Sequence, residues 1–196
     1  MPPRQSLRSI PQLWLVSDLR TDPGLEPALR RLPRGAGLVF RHYHLPPAER
    51  AARFRQLARL CRHRGLVMVW AGTPAAARQV GADGVYGAAG QLTRGAAMLR
   101  LVTVHSLAEL GAARRTRADL VLISPVFPTR THPGAPTLGP LRWLTLARHS
   151  PVRPIALGGM TAARARRLPG HGWAAIDGLA DRSRRTGKSP GNPKDS

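Results

Sequence analysis

Two glycine-containing segments near the end of the chain have the composition of a phosphate-binding site. Gly158 and Gly159 follow an apolar run and precede Thr161, a residue type that begins helices well. Gly178 follows the next apolar run. Glycines let the backbone approach an anion and present its N–H groups. The pattern predicts a phosphate grip at Gly158, Gly159 and Gly178, although a Gly-Gly pair also occurs in ordinary tight turns.

A polar loop at 124–134 carries further groups that bind anions. Thr129 and Thr131 supply hydroxyls, Arg130 between them supplies a guanidinium, and His132 follows. Hydroxyls and guanidinium groups donate hydrogen bonds to phosphate oxygens. We predict Thr129 and Thr131 as phosphate ligands, with an inert proline-rich connector as the alternative.

Two residues are candidates for catalysis. His105 follows the apolar run 99–104, and an imidazole with a pKa near neutrality suits proton transfer. Arg41 opens the polar cluster Arg-His-Tyr-His, which follows the run 37–40. A single histidine can equally be a structural residue, so the residue type leaves the role of His105 open.

Short apolar runs alternate with amphipathic stretches along the chain, which is typical of a βα series. Eight runs are predicted as strands: 13–17, 37–40, 66–70, 84–86, 99–104, 120–124, 154–157 and 173–176. Five stretches are predicted as helices: 48–63, a segment that starts at Thr73 with Pro74 at its first position, 107–115, 139–149 and 162–168.

Continuously apolar strands, each followed by a helix, favour a parallel sheet that is buried on both faces. Eight such units predict a small (β/α)8 TIM barrel with short helices in places, and an open doubly wound sheet is the main alternative. In a barrel the carboxyl ends of the strands form the site, so the candidate residues should meet at one face.

Composition sets the limits of this domain. We predict an N-terminal extension at 1–11, the barrel at 12–180 and a disordered basic tail at 181–196, which lacks apolar residues that could anchor it.

No apolar run approaches the roughly 20 residues of a membrane span, and no secretory signal is visible, so we expect a cytoplasmic protein without a membrane partner. Cys61 is the only cysteine, which excludes an intrachain disulfide.

The formal net charge of +21 raises nucleic acid as a partner. Almost all the basic residues are arginines, they are dispersed along the chain, and aromatic residues make up only 5%. Without stacking platforms beside the arginines, we interpret the charge as solvated helix faces, with a nucleic-acid surface as the less favoured alternative. The sequence is compatible with a homo-oligomer but does not specify one.

Five short motifs, in this order, resemble the thiamine phosphate synthase family, including its thiazole tautomerase (TenI-like) branch. The motifs are LWLVSD at 13–18, GADGV at 81–85, ADLV at 118–121, SPVFPT at 124–129 and IALGGMT at 155–161. The resemblance implies a (β/α)8 barrel of thiamine biosynthesis with a thiazole phosphate as its small-molecule ligand. In the synthase, the thiazole phosphate attacks a pyrimidine pyrophosphate with the help of magnesium and gives thiamine phosphate and pyrophosphate, which is transferase chemistry.

Several positions depart from the synthase pattern. Arg41 matches the arginine of the family's Arg-Glu-Lys motif, but His42 and Tyr43 replace its other two residues. The family's magnesium-binding aspartates fall at 71–73, which reads Ala-Gly-Thr, and near Gln91. A hard divalent ion prefers oxygen ligands such as carboxylates. The resemblance thus implies magnesium as a cofactor, whereas the residues at these positions imply a degenerate magnesium and pyrophosphate site.

The tautomerase branch matches this chain around His105 and at Gly158 and Gly159. In that branch a histidine moves protons on a thiazole carboxylate phosphate without a metal, which is isomerase chemistry. Three functions therefore stay open: a synthase-family enzyme, a metal-independent tautomerase-like enzyme, and a non-catalytic binder of phosphate ligands.

Overall fold

Eight parallel strands close into a barrel in which β8 pairs with β1, as the sequence predicts. The computed structural model describes residues 10–92, 98–131 and 133–180, so most of the predicted extension and the predicted tail lie outside the described residues. The strands are β1 Leu13–Val16, β2 Gly37–Phe40, β3 Val67–Ala71, β4 Gly84–Ala88, β5 Leu99–Val104, β6 Leu120–Ile123, β7 Arg153–Ala156 and β8 Gly172–Ala175.

Helices on the outside of the barrel follow most of the strands. They are α1 Leu25–Arg31, α2 Pro47–Arg64, α3 Pro74–Val80, α4 Leu107–Arg115, α5 Gly139–Arg148, α6 Ala162–Ala165 and α7 Asp177–Ala180. Helix α2, which covers the predicted helix at 48–63, buries Phe54, Leu57, Ala58 and Cys61. Burial raises the pKa of the Cys61 thiol to about 12, so this cysteine is a packing residue.

Some elements differ from the sequence prediction. A 3-10 helix at Leu19–Gly24 and helix α1 follow β1, where Pro23 and Gly24 interrupt any helical period. Helix α6 ends at Ala165, three residues before the predicted end. The predicted glycine loop after β8 is the first turn of α7. Within the described residues, no helix is long and apolar enough to cross a membrane.

Most strand residues are apolar because two separate cores cover the two faces of the strands. One core fills the barrel interior and includes Trp14, Val39, Leu101 and Leu122. The other lies between the strands and the helices and includes Phe54 and Trp143. This double burial leaves the strand ends as the main place for polar side chains, which is why the candidate residues collect there.

Asp83 and Asp119 have a structural role. They directly precede β4 and β6 and so lie at the end of the barrel opposite to the candidate residues. The Asp83 N–H donates to the carbonyl of Met68, and its Oδ2 accepts the Met68 N–H at 2.8 Å. Asp119 repeats both bonds with Arg100, whose N–H lies 2.7 Å from Oδ2. Burial raises the pKa of Asp83. These aspartates belong to the GADGV and ADLV motifs, which therefore stabilise the barrel away from the site.

Candidate active site

Two adjoining cavities open at the carboxyl ends of the strands, where the fold places active sites. We call the first, of about 490 Å³, the glycine cavity. We call the second, of about 330 Å³, the central cavity. Four residues line both of them, namely Thr129, Leu157, Gly158 and Ile176. A ligand with two chemically different ends can therefore occupy both cavities at once.

The three predicted glycines meet in the wall of the glycine cavity. Gly158 and Gly159 have φ values of +95° and +60°, which side-chain-bearing residues rarely adopt. A Cβ on Gly158 would lie 2.7 Å from the Cα of Pro125, and one on Gly159 would overlap the Pro128 carbonyl. A Cβ on Gly178 would overlap the Met160 carbonyl. Only glycine lets these three loops pack against one another.

Backbone hydrogen bonds join the polar loop after β6 to β7. The Val126 N–H donates to Leu157 at 2.9 Å, and the Phe127 N–H donates to Gly158 at 3.1 Å. Arg130 from this loop and Arg164 from α6 both line the glycine cavity. The cavity thus combines close backbone approach with two guanidinium groups, which is a suitable environment for an anion.

Thr129 and Thr131 lie at the junction of the cavities. Thr129 lines both cavities and Thr131 lines the central one. Arg20, in the 3-10 helix after β1, contacts their loop, because its Nη2 donates to the Thr131 hydroxyl at 3.4 Å. The same guanidinium bonds Asp18 at 2.8 Å and lies 3.7 Å from Asp177. The predicted phosphate ligands are therefore brought beside the glycines.

His105 lies at the end of β5 and lines the central cavity with its side chain exposed. Its Nδ1 lies 2.7 Å from the carbonyl oxygen of Ser124. A carbonyl only accepts hydrogen bonds, so Nδ1 carries the hydrogen and Nε2 is the basic nitrogen. Glu109 also accepts the backbone N–H of His105 at 3.0 Å. The structure thus holds this imidazole in one tautomer.

Arg41 lines the central cavity together with Tyr43 and Tyr86. The Arg41 guanidinium carbon lies 5.6 Å from the centre of the Tyr43 ring. Tyr86, the third residue of β4, is 9% exposed, and burial raises its pKa. Sequence reasoning missed Tyr86, although its place at the last residue of a predicted strand was a usable signal. These rings give the central cavity flat walls that suit a planar ligand.

His42 is a buried structural residue. It is 1% exposed, its Nδ1 lies 2.8 Å from Ser17 Oγ, and its Nε2 lies 2.7 Å from Asp22. Burial lowers the pKa of His42 despite the hydrogen bond with Asp22. Ser17 Oγ in turn accepts the Arg41 N–H at 2.8 Å, so the network positions Arg41. His44 lines neither cavity, and His132 lies outside the described residues.

The positions that the resemblance assigns to magnesium lie at 71–73, which reads Ala-Gly-Thr, and near Gln91. Within the described part of the chain, no group of three or more His, Cys, Asp or Glu side chains is placed to hold a metal. Among the residues that the structure describes, those that line the central cavity include Gln91 but no carboxylate. At the end of β3, Arg50 donates to the Ala71 carbonyl, so a guanidinium already lies beside this position. A positive charge there disfavours a second cation.

Comparison with known proteins identifies the family of this chain. The family model described as thiamine monophosphate synthase matches residues 15–179. The chain belongs to the thiamine monophosphate synthase family. A thiamine-phosphate synthase of Alcanivorax borkumensis is 32% identical over 176 residues, which cover 80% of this chain and 79% of that protein.

Two further relatives define the extent of the family match. A Synechococcus thiamine-phosphate synthase is 33% identical over 165 residues, or 77% of this chain, and the match covers only 46% of that longer protein. The structure of thiamine phosphate pyrophosphorylase from Pyrococcus furiosus superposes with a TM-score of 0.71 at 21% identity, covering 87% of this chain and 88% of the other. The structural match supports the barrel fold.

Proposed function

We propose that this member of the thiamine monophosphate synthase family binds a thiazole phosphate across the two cavities. The observation that carries the proposal is the shared wall between a cavity suited to an anion and a cavity suited to a planar ring. The phosphate group would contact Gly158, Gly159 and Gly178, with Thr129 and Thr131 at the junction. The thiazole ring would then lie between the tyrosines and His105.

We also propose that the magnesium and pyrophosphate site of the family is degenerate in this chain. In support, the described lining of the central cavity lacks carboxylates, and the Arg50 guanidinium of α2 contacts the Ala71 carbonyl at the end of β3. Without such ligands a divalent ion has little to hold it, and the leaving pyrophosphate of a synthase reaction would lack its counter-charge. These residues fit phosphate binding better than pyrophosphate displacement.

Titration with the pyrimidine pyrophosphate tests the degenerate site. We expect no gain in affinity when magnesium is added, because the ion has no carboxylates to bridge to the protein. Isothermal calorimetry of the full chain, with magnesium and with EDTA, measures this directly. Tight binding that requires magnesium would contradict the proposal and would favour an ordinary synthase.

A tautomerase-like activity is the second candidate, and the tautomer of His105 favours it. With Nδ1–H donating to Ser124, Nε2 is free to accept a proton from a ring that lies in the central cavity. This residue would then shift a proton on a thiazole carboxylate phosphate without a metal. Retained affinity for the thiazole phosphate with no turnover would instead favour a non-catalytic binder.

A further inference from the structure

Arg164 holds a guanidinium group in the glycine cavity through contacts at both ends of the residue. Its backbone N–H donates to the Thr161 hydroxyl at 3.2 Å in the first turn of α6. Its guanidinium carbon lies 4.9 Å from the centre of the Phe127 ring, and one Nη donates to the Gly159 carbonyl. The side chain is therefore fixed between the loop after β6 and the glycines after β7.

The charges around this guanidinium favour an anion of high charge. Arg130 lines the same cavity and brings a second positive group from another loop. Asp177 also lines it, but its carboxylate lies 3.7 Å from Nη1 of Arg20, which offsets part of its charge because the same guanidinium also bonds Asp18. A guanidinium carries five N–H donors, so Arg164 can bond a ligand while it bonds Gly159.

We propose that Arg164 makes the glycine cavity selective for the dianion of a phosphate monoester, with Arg130 as the second cation and without a divalent ion. The proposal rests on the proposed function, since it concerns the phosphate end of the same ligand. A planar guanidinium bonds two phosphate oxygens at once, and the attraction grows with the second negative charge. A sulfate monoester has the same shape and one charge, so it should bind less well.

Methyl phosphate and methyl sulfate are the probes that test this selectivity, titrated by calorimetry in EDTA. We expect methyl phosphate to bind more tightly as the pH rises past its second pKa of about 6. Methyl sulfate should show no such rise. Asp177 lines the glycine cavity and His105 lines the adjoining central cavity, and a change in the charge of either residue acts on both probes. The difference between the probes therefore reports the second charge of the phosphate.

The Arg164→Gln variant should weaken methyl phosphate binding by about 10- to 100-fold, as expected for the loss of a charge-assisted hydrogen bond. Arg167→Gln is the matched control, because Arg167 also lies over Phe127, at 5.6 Å, but does not line the cavity. This control should change the affinity less than about twofold. If Arg164→Gln fails to fold, Arg164→Lys keeps the charge but loses the bidentate fork, and should give an intermediate loss.

With the methyl probes, three results would overturn the proposal. The Arg164→Gln and Arg167→Gln variants could bind methyl phosphate with equal affinity, or the wild type could bind methyl phosphate and methyl sulfate with equal affinity. The third result is methyl phosphate binding that requires magnesium. Failure of the proposed function gives a different pattern. In that case methyl phosphate binding would still depend on Arg164, but a thiazole phosphate would bind no more tightly than methyl phosphate. A thiazole phosphate that binds the wild type and Arg164→Gln equally would overturn the role of Arg164 alone.

Discussion

The His105→Ala variant is expected to lose proton-transfer activity on a thiazole carboxylate phosphate by about 100- to 10,000-fold, the usual contribution of a positioned acid or base. Its affinity for a thiazole phosphate should persist, because the glycine cavity and its arginines do not include His105. Turnover and calorimetric affinity, measured on the same preparation, separate the two effects.

His149→Ala is the matched control for this experiment. His149 also places its Nδ1 against a backbone carbonyl, that of Thr145 at 2.8 Å, but it lines neither cavity. The control should keep full activity. Unchanged turnover in His105→Ala would remove His105 from the mechanism, and a parallel loss of affinity would show that it binds the ligand instead.

The Gly159→Ala variant is expected to weaken thiazole phosphate binding by more than about tenfold and to destabilise the barrel by about 2–5 kcal/mol. Two costs contribute to the loss of stability. A left-handed conformation costs a residue with a side chain about 1–2 kcal/mol, and overpacking costs about 1–3 kcal/mol. The added methyl group would overlap the Pro128 carbonyl and lie 3.0 Å from Nη1 of Arg164. The loops that form the glycine cavity must therefore separate.

Gly170→Ala separates the two costs. Gly170 has a φ of +77°, but a Cβ there would meet open space. This control should lose only the conformational part of the stability, measured by urea unfolding, and should bind the thiazole phosphate normally. If Gly159→Ala bound the ligand as tightly as Gly170→Ala, the glycine cavity would not be the phosphate site.

Much of the barrel could be predicted from local sequence because each strand is buried on both faces. The run that ends at Phe40 is continuously apolar, and Ser106 caps α4, as its residue type predicts, because its hydroxyl accepts the Glu109 N–H. Helix α1 escaped prediction since prolines at 23 and 27 mask its period. Its stability comes from tertiary packing of Leu25 and Leu29, which composition does not reveal.

Residues of the candidate site could be predicted where the backbone conformation requires a particular residue type. They could not be predicted where contacts between distant parts of the chain determine the role of a residue. Gly158 and Gly159 are recognisable because their residue type follows from positive φ and close packing. By contrast, His42 and Arg41 are sequence neighbours with opposite roles, and only the bonds from Ser17 and Asp22 show that His42 is structural. Local sequence carries no information about such partners.

Calorimetric titration of the full chain with a thiazole phosphate, once with magnesium and once with EDTA, tests the central claim most directly. The claim is that the glycine and central cavities bind this ligand without a metal. The account predicts saturable binding with the same affinity in both buffers. Affinity that appears only with magnesium, or no binding in either buffer, would contradict it.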